Sequence, residues 1–195
     1  MRWIIYLIIV SSSQLAYAQS KTTFGSDNAT RCYRESNTPF STHGLTFCTE
    51  AIRNDDLLPR DLAATHTNRG IIYAANGQLD RAMKDHNTAA LLAPGMGKIY
   101  VNRGNVYHQT HEYVTALADY GRALELANVQ LDIVHYNRSL TLIRLKRWDD
   151  ALAALETALA VNPESARVKR KLDQLNALKE KPSTTVVNPD DELSQ

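Results

Sequence analysis

A catalytic or metal centre in this chain would have to be built from its histidines and cysteines, and their spacing gives neither. His108-x-x-His111-Glu112 is the one cluster of metal-ligating types. A zinc enzyme needs two histidines across one helical turn and a third ligand, whereas this spacing puts His108 near a helix end and His111 in the turn. Cys32 and Cys48 lack the C-x-x-C spacing of a redox pair and the further ligands of a metal site. There is no G-x-S-x-G elbow and no glycine-rich phosphate loop. The expectation is a protein that is not an enzyme and holds no cofactor and no metal. A different chemistry comes from Asn68, Asn102 and Asn137, spaced by 34 and 35 residues. An asparagine amide donates to a carbonyl and accepts from an N–H at once, which is what gripping an extended peptide backbone requires.

That spacing belongs to a repeat. Gly70 and Gly104 are 34 apart, as are Ala82 and Ala116, Ala89 and Ala123, Tyr73 and Tyr107, and Arg69 and Arg103. A third copy follows 35 residues on, at Asn137, Arg138, Ser139, Leu142, Ala151, Ala158 and Pro163, so one extra residue must be absorbed around 129–131. Fixed periods of this length mark stacked supersecondary units. Each copy splits into two helical patterns joined by a short polar turn: Gly77-Gln78, His111-Glu112 and Lys146-Arg147. Small residues are needed where paired helices cross closely. Gly70, Ala82, Ala89 and their equivalents meet that need. Larger residues are expected between hairpins: Tyr73, Leu79, Met83 and Leu92, then Tyr107, Tyr113, Leu117 and Leu126, then Trp148, Leu152 and Val161. His66, His86 and His135 stand at core positions and read as structural. Pro94 and Pro163 close helices, and Asn128 replaces the middle proline.

Glycine, tyrosine, two alanines and a closing proline at these offsets over residues 63–165 resemble the tetratricopeptide repeat (TPR) family. The strings Asn68-Arg69-Gly70 with Tyr73 and Asn102-Arg103-Gly104 with Tyr107 look more narrowly like the N-R-G-x-x-Y type of exported bacterial repeat proteins. The resemblance implies an all-α, right-handed solenoid of three hairpins. The cysteine-containing segment 31–62, with a helix over 47–58, precedes the repeats at 63–96, 97–131 and 132–165. An amphipathic helix at 166–180, with Val168, Leu172, Leu175 and Leu178 on one face, caps them. Residues 19–30 and 181–195 are polar enough to stay disordered.

In such arrays the first helix of each hairpin lines the concave side. The resemblance therefore implies a peptide groove of Asn68, Lys98, Asn102, Asn105, Tyr136, Asn137 and Arg144, flanked by Val101, His108, Gln109 and Leu140. Polar side chains between repeats must also be satisfied, so the asparagines could instead bond neighbouring helices and hold the array in register. Lys98, Arg144 and Arg170 could receive a carboxylate, resembling the clamp of chaperone adaptor repeats. The paired basic and asparagine pattern of that clamp is not matched, so that ligand is not expected. Arg69 with Asp85, and Arg103 with Asp119, should form ion pairs within their hairpins. Ala154 takes the acid's place in the third, so Arg138 must find another partner or face the groove.

Export is the other expectation. Residues 1–18 carry Arg2, an apolar run over 3–10 and the ending Ala16-Tyr17-Ala18, which together read as a cleavable signal. The run is well short of the roughly 20 residues that span a bilayer, so no membrane insertion is expected after cleavage. Loss of Arg2 leaves 21 basic and 21 acidic side chains, a balance that favours neither nucleic acid nor an anionic membrane. In an oxidising compartment Cys32 and Cys48 should pair, stabilising by roughly 3 kcal/mol in the chain-entropy model. The sequence therefore leads to an exported, periplasmic (otherwise secreted) module that binds an extended segment of another protein. A scaffold using its convex face or stack ends is the alternative. N-terminal sequencing of the exported chain should start at Gln19; an N-terminus at Met1 would overturn the signal.

Overall fold

The structure is a computed structural model that describes residues 27–180 except 39, 40 and 55. The expected signal at 1–18, the stretch 19–26 and the tail at 181–195 fall outside the described residues. The described residues form helices α1 (Asp27–Ser36), α2 (Thr42–Asn54), α3 (Pro59–Ala75), α4 (Leu79–Leu92), α5 (Gly97–Gln109), α6 (Tyr113–Leu126), α7 (Leu131–Arg144), α8 (Trp148–Val161) and α9 (Ala166–Glu180). There is no strand among the described residues. α1 pairs with α2, α3 with α4, α5 with α6 and α7 with α8, and these hairpins stack side by side into an α-solenoid that α9 closes against α8.

Each repeat's hairpin turn is made by the same device. Gly77, His111 and Lys146 all have positive φ, at 74°, 66° and 58°. The next residue's N–H reaches back to Tyr73 O, Tyr107 O and Leu142 O at 2.8, 2.8 and 2.9 Å. The positive-φ residue itself donates to Ala74 O, His108 O and Ile143 O. This double bond pattern satisfies the last carbonyls of the first helix and reverses the chain. Glycine takes the left-handed conformation freely in the first turn, whereas His111 and Lys146 hold it against a steric penalty.

The paired helices cross at the register of Gly70, Gly104 and Ser139. A Cβ on Gly70 would lie 2.7 Å from the His86 ring, and one on Gly104 would lie 2.8 Å from the Tyr120 ring. Ala82, Ala89, Ala116, Ala123, Ala151 and Ala158 are fully buried beside these crossings. The large side chains of the interior are Ile72, Ile99, Val106, Tyr120, Val134, Leu142, Leu155 and Val168. This corrects the expected set: Trp148 is 40% and Val161 48% exposed, because the two residues open and close α8, where no neighbouring hairpin reaches over them. Likewise Val168 and Leu175 of α9 are buried against the third hairpin, while Leu178 is 63% exposed.

The N-terminal end departs further from expectation. Its helix spans Thr42–Asn54 instead of 47–58, and α1 begins at Asp27, inside the stretch 19–30 expected to lack structure. Ser41 accepts from the Gly44 N–H at 3.1 Å, an N-cap, and its hydroxyl donates to the Glu35 carboxylate of α1. Cys32 and Cys48 form the expected disulfide, fully buried against Ile72 of α3. α1 and α2 thus make a fourth, shortened hairpin. Helix α3 starts four residues before the repeat does, with Pro59 in the first turn, where its missing N–H costs nothing. The loops 93–96 and 127–130 are equally long, so the extra residue of the third repeat enters where α7 begins at Leu131, at the edge of the expected 129–131, and α7 has 14 residues against 13 in α5. Ala127 caps α6 with φ 53°. Asn128 then accepts from Gly97 N at 2.8 Å and donates to Gly95 O at 2.9 Å, tying two inter-hairpin loops together.

His86 occupies the crossing position held by Tyr120 and Leu155 in the other repeats. It is fully buried and neither ring nitrogen has a hydrogen-bond partner. Burial, with a smaller contribution from Arg103 opposed by Asp85, pulls its pKa down to about 4. The unfolded chain therefore takes the proton first. Stability is whole above pH about 6.5 and falls as pH drops toward about 4, by about 2–3 kcal/mol at most. Thermal unfolding midpoints between pH 7 and 4 should show this loss in the native chain and a much flatter profile in His86→Leu. Equal profiles would mean that His86 is protonated in the fold.

Candidate functional site

Two ion pairs, each between a buried aspartate and a partly buried arginine, fix the hairpins. Arg69 of α3 donates to both Asp85 oxygens of α4, Nε to Oδ2 at 2.7 Å and Nη2 to Oδ1 at 2.8 Å. Arg103 of α5 repeats this with Asp119 of α6, at 2.8 Å for both bonds. Such bidentate pairs are geometrically specific as well as strong. Each arginine also reaches the preceding hairpin, Arg69 to Thr49 Oγ1 at 3.2 Å and Arg103 to Asn87 Oδ1 at 3.0 Å. One side chain therefore fixes both the angle within a hairpin and the spacing between hairpins. Burial pushes the Asp85 carboxyl up, but hydrogen bonds from Arg69 and from His66, whose Nδ1 is 2.8 Å away, outweigh it and hold the group below the usual carboxylate range.

The first helices α3, α5 and α7 lie in succession and carry two hollows. The larger, about 520 Å³, is lined by Asn68 and Ile71 of α3, Lys98 and Asn102 of α5, and Tyr33 and Asn37 at the α1 end. The smaller, about 210 Å³, is lined by Asn105, His108, Gln109, Tyr120, Asn137 and Leu140. Five of the seven expected groove residues thus fall into the hollows. Tyr136 and Arg144 line neither. The Tyr136 ring lies 4.3 Å beneath the Arg167 guanidinium and packs on the third hairpin's core. Arg144 is drawn to the α6 side, where its Nε donates to the Tyr113 hydroxyl at 3.0 Å.

The three asparagines are not equivalent. The Asn68 side-chain amide makes no hydrogen bond to a described residue. The Asn102 amide donates to Lys98 O of its own helix at 2.9 Å. Asn137 donates to Asn105 Oδ1 at 2.9 Å, and the Tyr120 hydroxyl donates to the same oxygen at 2.9 Å. The Asn137 bond holds α5 and α7 in register, the alternative role that the sequence left open. His108 is bonded to Thr141 Oγ1 at 2.8 Å and His111 to the Tyr113 hydroxyl at 2.7 Å. Among the described residues no three metal-ligating side chains gather. Burial first, then Arg144 and His111, lowers the His108 pKa.

Tyr33, Asn37, Arg60 and Met96 at the N-terminal hollow were not foreseen from the sequence. α1 follows no repeat period, and the one signal for it was Cys32, whose bond to Cys48 brings the helix against α3.

The architecture defines a short α-solenoid of the tetratricopeptide kind. Residues 133–165, the third hairpin, match the family model described as tetratricopeptide repeat. The human protein described as tetratricopeptide repeat protein 6 is 33% identical over 81 residues, covering 42% of this chain and 15% of its own length. The chain thus spans a small part of that relative. Among solved structures, the first TPR of Spaghetti (RPAP3) bound to the HSP90 peptide SRMEEVD superposes with a TM-score of 0.58 at 18% identity, over 62% of this chain and 94% of that one. YrrB, described as a TPR protein with an unusual peptide-binding site, gives 0.58 at 21% identity, over 68% and 66%. These comparisons support the tetratricopeptide repeat family for the array.

Asp119→Asn should lower stability by about 3 kcal/mol, because it leaves the Arg103 guanidinium partly buried without its counter-charge. Asp150→Asn, which breaks a pair about half exposed on each side, should cost no more than about 0.5 kcal/mol. Denaturant melts of both variants check the contrast, and equal costs would remove the ion pairs from the account of how hairpins are fixed.

Proposed function

We propose that this protein is an exported interaction module that binds an extended segment of an envelope or secreted protein along α3, α5 and α7. The carrying observation is the N-terminal hollow, where Asn68 and Asn102 stand one repeat apart beside Lys98 and Ile71. Asn68 offers a whole amide, and Asn102 retains its carbonyl oxygen. The lining of the hollow includes Lys98 and Arg60 and no acidic side chain, which suits a segment with acidic side chains. The peptide bound to the RPAP3 repeats and the peptide-binding site of YrrB support a peptide as the ligand, and no helix among the described residues is long and apolar enough to cross a membrane. Export to a bacterial periplasm, or secretion, is supported by the leader in the sequence and by a buried disulfide, which persists in oxidising compartments. The N-R-G-x-x-Y type of exported bacterial repeat protein is the relationship proposed on the same grounds.

Photo-crosslinking from the groove in intact cells, followed by pull-down from envelope and supernatant fractions, tests the reading. The native chain should capture a partner that Asn68→Ala with Asn102→Ala loses while its melting curve stays unchanged. Asn137→Ala is kept apart because it also breaks the bond between α5 and α7. Unchanged capture by the double variant would transfer the function to the convex face or stack ends, where Leu91 is 85% and Val114 73% exposed.

A further inference from the structure

The repeat register places three arginines alike and supplies a carboxylate to two of them. Arg69 and Arg103 each meet an aspartate sixteen residues later, and sixteen residues after Arg138 comes Ala154, which is buried. The second anchor is missing as well. Asn87, which receives Arg103 from the preceding hairpin, corresponds by the period to Gly121, and a Cβ added at Gly121 would meet nothing within 4 Å. The register thus aims Arg138 at α8 and α6, where one neighbour has no acid and the other no side chain. Arg138 is only partly exposed, and its guanidinium makes no hydrogen bond or ion pair with a described residue. On α6 and α8, Asp119 is already held by Arg103 and Asp150 by Arg147. One turn before Arg138, His135 has a buried Nδ1 without a partner. Burial, then the Arg138 charge, holds that imidazole below its usual pKa, which puts the two groups within electrostatic reach.

We propose that the place between α6 and α8 marked by Arg138, His135, Ala154 and Gly121 is an anion site that takes a carboxylate from outside the hairpin. This is independent of the groove and goes beyond the proposed function. A partly buried arginine whose two sister residues are bidentately paired offers its N–H donors to the same planar group. The carboxylate has two sources: an acidic side chain of another protein, or the chain's own Asp190, Asp191 and Glu192, which lie in sequence beyond the described residues.

The Arg138 Nε–H signal in a proton–nitrogen spectrum of the full chain reads the site, with sodium acetate as the probe at constant ionic strength. Expected is a saturable shift of Arg138 at acetate concentrations that leave unmoved the exposed Arg53, which lies outside both hollows. A response already present in the native chain makes a partner the source of the carboxylate. One that appears only in Asp190→Asn/Asp191→Asn/Glu192→Gln makes the chain's own tail the source. Ala154→Asp should raise the melting midpoint, move the Arg138 signal to the positions of Arg69 and Arg103 without acetate, and abolish the titration. The proposal is overturned if Arg138 follows acetate no better than Arg53 in both the native and tail-neutralised chains. It is also overturned if Ala154→Asp leaves the Arg138 signal where it was.

Discussion

Everything in this array depends on how closely the two helices of a hairpin approach. At Gly70 and Gly104 the backbone of the first helix lies against the ring of His86 or Tyr120, at a distance that a Cβ would violate. Close approach lets rings and aliphatic side chains fill the crossing without a void, and interiors packed to that density respond to the loss or gain of a single methylene. It also brings the arginine preceding each glycine within reach of an aspartate on the second helix. The ion pairs are thus a consequence of the crossing. Once made, they resist any change of the angle, because a buried charge without its partner is strongly unfavourable. Ser139 replaces glycine in the third hairpin, and there Leu155 replaces the ring and the ion pair is gone.

Much of this was legible in the sequence because steric demands recur with the period. Gly70 and Gly104, the six alanines and the turn residues Gly77, His111 and Lys146 follow from the repeat length, and so do the Arg69–Asp85 and Arg103–Asp119 pairs. The identity of the large interior residues was less legible. Trp148 and Val161 are as apolar as Leu142 or Leu155, but they sit at the ends of a helix, and periodicity does not say how far a neighbouring hairpin extends. Leu178 fails for the same reason at the stack's end. The α1–α2 hairpin lacks the repeat's N-R-G-x-x-Y string, and it is assembled by a covalent bond and by the Ser41–Glu35 contact, so neither propensity nor period locates α1.

The candidate site shows the same limit. Period places Asn68, Asn102 and Asn137 on one ladder, yet their hydrogen bonds depend on which neighbour stands opposite. Asn137 is matched by Asn105, a residue of the adjacent first helix that lies one turn beyond the ladder residue Asn102 and has no place in the period. The bond joins α5 and α7 diagonally, a relation set by how the two helices pack and not by repeat spacing. Tyr120 reaches the same Asn105 oxygen from α6, and its hydroxyl is available there because the second repeat carries a tyrosine where the others carry His86 and Leu155.

The split in the ladder gives the groove a direction. At its C-terminal half the Asn105 oxygen already accepts from both Asn137 and Tyr120, so that half is committed to holding α5 against α7. At the N-terminal half the Asn68 side-chain amide has no bond to a described residue and Asn102 uses one donor within its own helix. Under the proposed reading, the grip on a peptide backbone therefore falls on the half that faces α1. Tyr33 of that helix and Asn37 just beyond it complete the hollow, and the helix is held by Cys32, its one fully buried side chain. The disulfide then does more than stabilise a stack end: it keeps in place one wall of the surface on which the asparagines are free to act.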